Sequence, residues 1–178
     1  NRKKNIWESK INRFIVFTNF AKKIYIRANF PKSKISVKPN YNPTQILPTT
    51  INKDLKKNCI YVGRISEEKG ITTLLKAWKN INFPLKIFGD GRLKHQIEKN
   101  QSNITFLGHQ PKNIIIEEMK LAKFLIFPSE CYEGFPMTIL ESFASGLPVL
   151  ASNIGAVSEI IKDKYNGILF ETGNIIDL

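Results

Sequence analysis

From residue 58 to its end the chain repeats one pattern: a short apolar run, a turn, and a segment with helical spacing. The apolar runs lie in "CIYVGRI", "PLKIFGDGR", "NITFLGHQP", "KFLIFPS", "LPVLASNIG" and "GILFE". Between them stand "GITTLLKAWKNI", "LKHQIEKN", "NIIIEEMKLA", "MTILESFASG" and "AVSEIIKDK". Strands of four to six mostly apolar residues that alternate with helices call for a parallel sheet covered on both faces. The pattern predicts an α/β fold with a Rossmann-like, doubly wound parallel sheet, and it places ligands outside the carboxyl ends of the strands.

Residues 1–57 have another character. They hold 14 Lys+Arg against Glu8 and Asp54 and so carry the whole formal charge of +12, while residues 58–178 balance at 13 against 13. "RFIVFTNFAKKIYIRANFP" predicts a strand over 13–17 and a helix from Thr18 or Asn19, either a competent N-cap, with Pro31 closing the unit. "SKISVKPNYNPTQILPTT" predicts a strand over 35–38 and then an extended linker through Pro39, Pro43 and Pro48. Charge step and prolines coincide, so a boundary is expected near 40–48. It separates residues 1–42, the end of one domain and the start of a linker, from a second domain over 43–178.

With 178 residues and 42% hydrophobic content the chain can bury one core and part of another. It begins with Asn, and "ETGNIIDL" stops where a helix would start, so a piece of a longer protein is expected. Cys59 and Cys131 make no disulfide framework and follow no signal-like stretch, and no run of about 18 apolar residues is present. A reducing, cytoplasmic setting without a membrane span fits these features. A basic excess confined to one segment points that segment at an anionic surface, lipid or RNA, unless it is a solvated lysine-rich face.

Three motifs could carry chemistry. "VGRISEEKG" follows the first strand of the repeat and sets Arg64 and Lys69 at the sheet edge, where two fixed cations would meet a ligand with two phosphates. A basic pair that is merely solvated is the competing reading. "FGDGR" lacks the third glycine of the dinucleotide fingerprint, so it is read as backbone geometry. In "ECYEGFPMTILESFASGLPV", residues 130–149, Pro136 suits the first helical position and Gly146 the residue past the end. The helix should then run over 136–145 and open its amides beside "EGFP", a ready anion site.

Glu133 and Glu141 stand eight positions apart, roughly 12 Å at the helical rise, beyond the ~5–9.5 Å that separates glycosidase carboxylates. The spacing suits one extended ligand gripped at two points. Asp54, Asp90, Asp163 and Asp177 form no Asp-x-Asp pair, and His95 and His109 stand apart from any carboxylate cluster, so neither a metal site nor a cofactor is expected. Cys131 has no histidine in its motif, and a nucleophilic role is not expected.

Taken in order, "VGRISEEKG", "ITFLGHQP" and "EGFPMTILESFASGLPVLASNIGAVSEIIKDKYNGILFE" resemble the carboxyl-terminal half of glycosyltransferase family 4, retaining enzymes of the GT-B fold. The likeness covers residues 58–172 and continues more loosely over 11–45, which resembles the end of the amino-terminal domain. It implies a nucleotide-diphosphate-sugar as co-substrate, with Arg64 and Lys69, beside Gly63, on the diphosphate. It implies that Glu133 and the amides of Gly134, Phe135 and Met137 face the sugar and phosphates. Glu141 would accept the ribose hydroxyls, and the backbone of Leu107, Gly108 and His109 would border the base. Glu133, Arg64 and Lys69 would then be the catalytic set, with no metal.

The acceptor implied is a glycan or a lipid-linked glycan, with the basic segment resting on an anionic membrane from the cytoplasmic side. Three alternatives stay open: a GT-B-type nucleotide-sugar epimerase, a non-catalytic donor-binding fragment, and a basic nucleic-acid-binding module. The last is opposed by the neutral charge of the motif-bearing part and by the lack of an aromatic stacking platform.

Overall fold

The computed structural model describes residues 9–41, 57–97 and 102–178. The leading segment forms β1 (Phe14–Val16), α1 (Asn19–Arg27) and β2 (Ile35–Val37), the two strands pairing in parallel. Thr18 caps α1 as expected, its hydroxyl accepting from the Ala21 amide at 3.1 Å. The expected boundary, with Pro43 and Pro48, lies mostly outside the described residues.

The repeat becomes β3 (Asn58–Val62), α2 (Ile71–Trp78), β4 (Leu85–Phe88), β5 (Ile104–Gly108), α3 (Lys112–Leu121), β6 (Ala122–Phe127), α4 (Met137–Ala144), β7 (Val149–Ser152), α5 (Val157–Ile160) and β8 (Gly167–Phe170). All six strands are parallel, in the order β5-β4-β3-β6-β7-β8. Two strands run outward from β3 in one direction and three in the other, so the connection reverses between β3 and β6. That reversal opens the crevice in which ligands of doubly wound sheets bind.

Strand alternation builds two cores from the same residues' neighbours. Ile60, Phe88 and Leu125 face one side, with Met119 of α3 and Ile139 of α4. Tyr61, Ile87 and Ile126, one step along each strand, face the other, with Leu74 and Trp78 of α2. Because successive side chains point to opposite faces, continuous apolar runs such as "CIYV" serve both layers.

The helix α4 follows its sequence signals closely. Gly146, at φ 67, donates to Phe143 O and Leu147 N donates to Ser142 O, which satisfies the final carbonyls in a Schellman arrangement. Pro136 is the capping residue rather than the first helical one, since its ψ of 120 is extended.

One predicted helix is shorter than its pattern, and another lies only partly within the described residues. "LKHQIEKN" yields a single 3-10 turn over Lys94–Gln96 within the described residues. "AVSEIIKDK" stops at Ile160, because Ile161 turns extended and the Lys162 amide bonds the Asn166 side chain at 2.8 Å.

The leading segment packs on the sheet domain beside "ECYEGFP". Phe20 meets Tyr132 edge-on at 4.8 Å and Phe17 meets Phe135 at 6.5 Å between ring centroids. Glu159 accepts from the amides of Asn19 and Phe20 at 2.9 and 2.8 Å and from the Asn19 side chain at 2.9 Å, so a carboxylate from α5 covers the amino end of α1. Among the described residues no helix is long and apolar enough to cross a membrane.

Candidate functional site at the strand reversal

The loops that leave β3 and β6 meet at the crevice. Gly70 holds φ 68, and a Cβ there would stand 1.8 Å from the Pro128 carbonyl oxygen, so the loop after β3 lies directly on the loop after β6. The Glu130 amide donates to Glu68 O at 3.0 Å and joins the same two loops. Between them opens a cavity of about 280 Å³ lined by Gly63, Arg64, Lys69, Ser129, Glu133 and Met137, among others.

Lys69 and Glu133 form an ion pair inside this cavity, with side chains 24% and 14% exposed. Ser129, itself buried, donates to the same Glu133 oxygen at 2.8 Å. The Arg64 guanidinium lies mostly in solvent, 3.5 Å from the Glu68 carboxylate. The Tyr61 hydroxyl donates to Arg64 O at 2.7 Å. Burial pushes the Tyr61 phenol far above its ordinary range, with Glu133 and Glu68 adding to the shift, so the hydroxyl stays a donor.

The amino end of α4 opens on the same space. Pro136, Met137 and Thr138 line it, and no side chain caps that end. Two cations and uncapped helix amides therefore converge on one concave surface, an arrangement whose electrostatics suit an anionic group.

A second cavity of about 330 Å³ continues from the first through Val62, Gly63 and Arg64 to Gly89, His109, Gln110 and Ile115. Gly63 and Arg64 belong to both, so the two form one trough along the strand ends. Leu107 and Gly108 are tied to two of its lining residues: Gln110 Nε2 donates to Leu107 O at 2.8 Å and Gly89 N to Gly108 O at 2.8 Å. Glu141 lies on α4, one turn beyond the residues that line the first cavity, and its Oε1 is 2.7 Å from Lys112 Nζ.

Of the residues singled out in the sequence, Gly63, Arg64, Lys69, Glu133, Met137 and His109 line the trough. Leu107, Gly108, Gly134, Phe135 and Glu141 are not among the residues that line either cavity. Gly134 and Phe135 turn toward Phe17 of the leading segment. Sequence reasoning did not reach Tyr61, Ser129 or Lys112. Ser129 had a usable signal, since it stands just past β6 at the carboxyl edge of the sheet. Among the described residues no group of three or more His, Cys, Asp or Glu converges.

Comparison with known proteins gives this geometry a family. The chain is 34% identical over 148 residues to an uncharacterized glycosyltransferase of Methanocaldococcus jannaschii, covering 77% of this chain and 42% of that protein. It is 30% identical over 189 residues to the UDP-Gal:alpha-D-GlcNAc-diphosphoundecaprenol alpha-1,3-galactosyltransferase of Escherichia coli, covering 92% and 48%. The chain thus spans less than half the length of these relatives. Among solved structures, Anabaena HepE, crystallised with UDP and glucose, superposes with a TM-score of 0.76 at 20% identity over 93% of this chain and 51% of that one, a likeness of fold alone. Residues 45–178 match the family described as glycosyl transferases, group 1. With three quarters of its length in that match and a sheet domain of the GT-B kind, the chain belongs to the group 1 glycosyl transferases.

Proposed function

We propose that the trough binds a nucleotide-diphosphate-sugar, and that the protein transfers the sugar with retention to a glycan or lipid-linked acceptor without a metal, as a member of family 4. The observation that carries the reading is the convergence of Arg64, Lys69 and the uncapped α4 amides on one cavity that also holds Glu133. In the transfer, the bond from the anomeric carbon to phosphate breaks and its electron pair stays on the diphosphate, while the acceptor oxygen bonds the anomeric carbon and gives its proton to the leaving diphosphate. Negative charge grows on the leaving group, and cations already in place stabilise that state more than the ground state. Arg64 and Lys69 supply those charges, and Glu133, held by Ser129, faces the sugar.

Glu141 takes the ribose and the Leu107–His109 backbone borders the base. HepE was crystallised with UDP and the Escherichia coli relative uses UDP-Gal, which favours a uridine nucleotide among the donors to try first. That relative acts on a diphosphoundecaprenol acceptor, which supports a lipid-linked glycan and a place on the cytoplasmic membrane face, with the basic leading segment toward anionic lipid.

Calorimetric titration with UDP, GDP, ADP, CDP and dTDP and with matching nucleotide-sugars tests the donor site. Millimolar or tighter binding, lost in Arg64→Ala, is the expected result. A folded chain that binds none of them overturns the reading.

A further inference from the structure

We infer that Lys112 is a positioning residue for nucleotide recognition, fixing one oxygen of Glu141 so that the other is presented to the ribose. The inference rests on the donor reading above, and it starts from a charge in an unexpected place. Lys112 is the first residue of α3, where the helix presents its positive end and where an anion, not a lysine, is favoured. No acidic residue in the first turn of α3 offsets it. Its ammonium finds its partner on the next helix instead, at Glu141 Oε1, 2.7 Å away.

The exposures of the two partners are unequal. Glu141 is 15% exposed and Lys112 55%, so the carboxylate is the member that the fold holds in place and withdraws from water. Among the described residues, Lys112 is the partner of that carboxylate, and Oε2 has none. A carboxylate left with no partner would turn about its broad terminal torsion and present neither oxygen in a fixed direction. The ion pair with Lys112 removes that freedom.

Position completes the argument. Three residues on from Lys112, Ile115 lines the second cavity, and four residues before Glu141, Met137 lines the first. The Lys112–Glu141 pair therefore ties the helix that borders the base end of the trough to the helix that borders the phosphate end. A ribose joins base to phosphate and must pass between them.

The test compares UDP with 2′,3′-dideoxy-UDP, with the GDP and ADP pairs run alongside, on the wild-type chain, Lys112→Gln and Lys112→Arg. Because Lys112 is exposed, both variants should melt as the wild type does, which thermal unfolding checks. Wild type should prefer the ribonucleotide. Lys112→Gln should lose about fivefold in affinity for UDP, the size of one modest hydrogen bond, and lose little for the dideoxy form. Lys112→Arg should restore most of the preference.

Equal losses for both nucleotides would mean that Lys112 acts only as a distant charge, and would overturn the inference. Unchanged or tighter UDP binding in Lys112→Gln would overturn it too, the latter by showing that the lysine competes with the ribose. Wild-type protein that binds UDP but does not distinguish the two forms would instead refute the ribose role of Glu141 itself.

Discussion

Replacing Gly70 by alanine perturbs the point where the two loops of the crevice touch, and its cost can be worked out against an internal control. Gly70 and Gly108 have nearly the same left-handed backbone, φ 68 and 66. A Cβ at Gly70 would stand 1.8 Å from Pro128 O and 2.7 Å from its carbonyl carbon, whereas at Gly108 nothing lies within 4 Å. Left-handed geometry alone costs a non-glycine residue about 1–2 kcal/mol, so Gly108→Ala should lower Tm by about 2–8 °C. At Gly70 the carbon must also reach an ordinary contact of ~3.3 Å or more, so two backbones must part by over an ångström. Overpacking of this kind adds about 2–3 kcal/mol and brings the total to about 3–5 kcal/mol. Differential scanning calorimetry of the two variants should separate them by at least about 4 °C, at the usual 2–4 °C per kcal/mol for a chain of this size. Because the strain falls on the loop that carries Arg64 and Lys69, Gly70→Ala should weaken nucleotide diphosphate binding as well. Equal Tm values for the two alanine variants would refute the close approach of the loops.

Four further outcomes are expected. On the proposed transferase reading, Arg64→Ala and Lys69→Ala should each lower turnover about 10²-fold, as removal of one oxyanion donor does, and near-normal activity in both would remove them from the mechanism. Desolvation pushes the Glu159 carboxyl up, but the amides of Asn19 and Phe20 hold it below the usual glutamate range, so its contribution is present at neutral pH and is lost as pH falls through that range. Glu159→Gln should therefore cost about 1 kcal/mol at pH 7, less at high salt, with the gap from wild type closing in acid unfolding curves; a gap independent of pH would contradict the cap. Burial pushes the Cys59 thiol up to about 11, so at pH 7.5 a maleimide should label the half-exposed Cys131 and spare Cys59, as mass spectrometry would show. Replacing Lys22, Lys23, Lys32 and Lys34 together by glutamine should reduce sedimentation with phosphatidylserine vesicles, and unchanged sedimentation would count against membrane docking by this segment.

The sheet was legible from residue order because each element carries its own signal. "CIYV" and "FLIF" can be buried on both faces only as inner parallel strands, and Pro136 with Gly146 brackets one helix without reference to anything else. The loop cations Arg64 and Lys69 were legible for the same reason, since a turn after the first strand of such a sheet must reach its carboxyl edge. The family motifs then named Glu133 and Glu141. Where a side chain from a later loop ended an element, the reading overreached: "AVSEIIKDK" stops at Ile160, where the Asn166 side chain takes up the Lys162 amide.

What residue order left undecided was which side chains share a partner across loops. The strand order β5-β4-β3-β6-β7-β8 is a global property, and it alone brings the loop after β3 against the loop after β6. Lys69 thereby meets a carboxylate 64 positions away and Ser129 orients that carboxylate. Lys112 reaches Glu141 because α3 and α4 lie side by side, and Glu159 reaches α1 across 140 positions. Short-range propensities and burial patterns are written in neighbouring residues. Ion pairs and hydrogen bonds of a site depend on distances that exist only after the chain has closed its long loops, so the folded structure decided them.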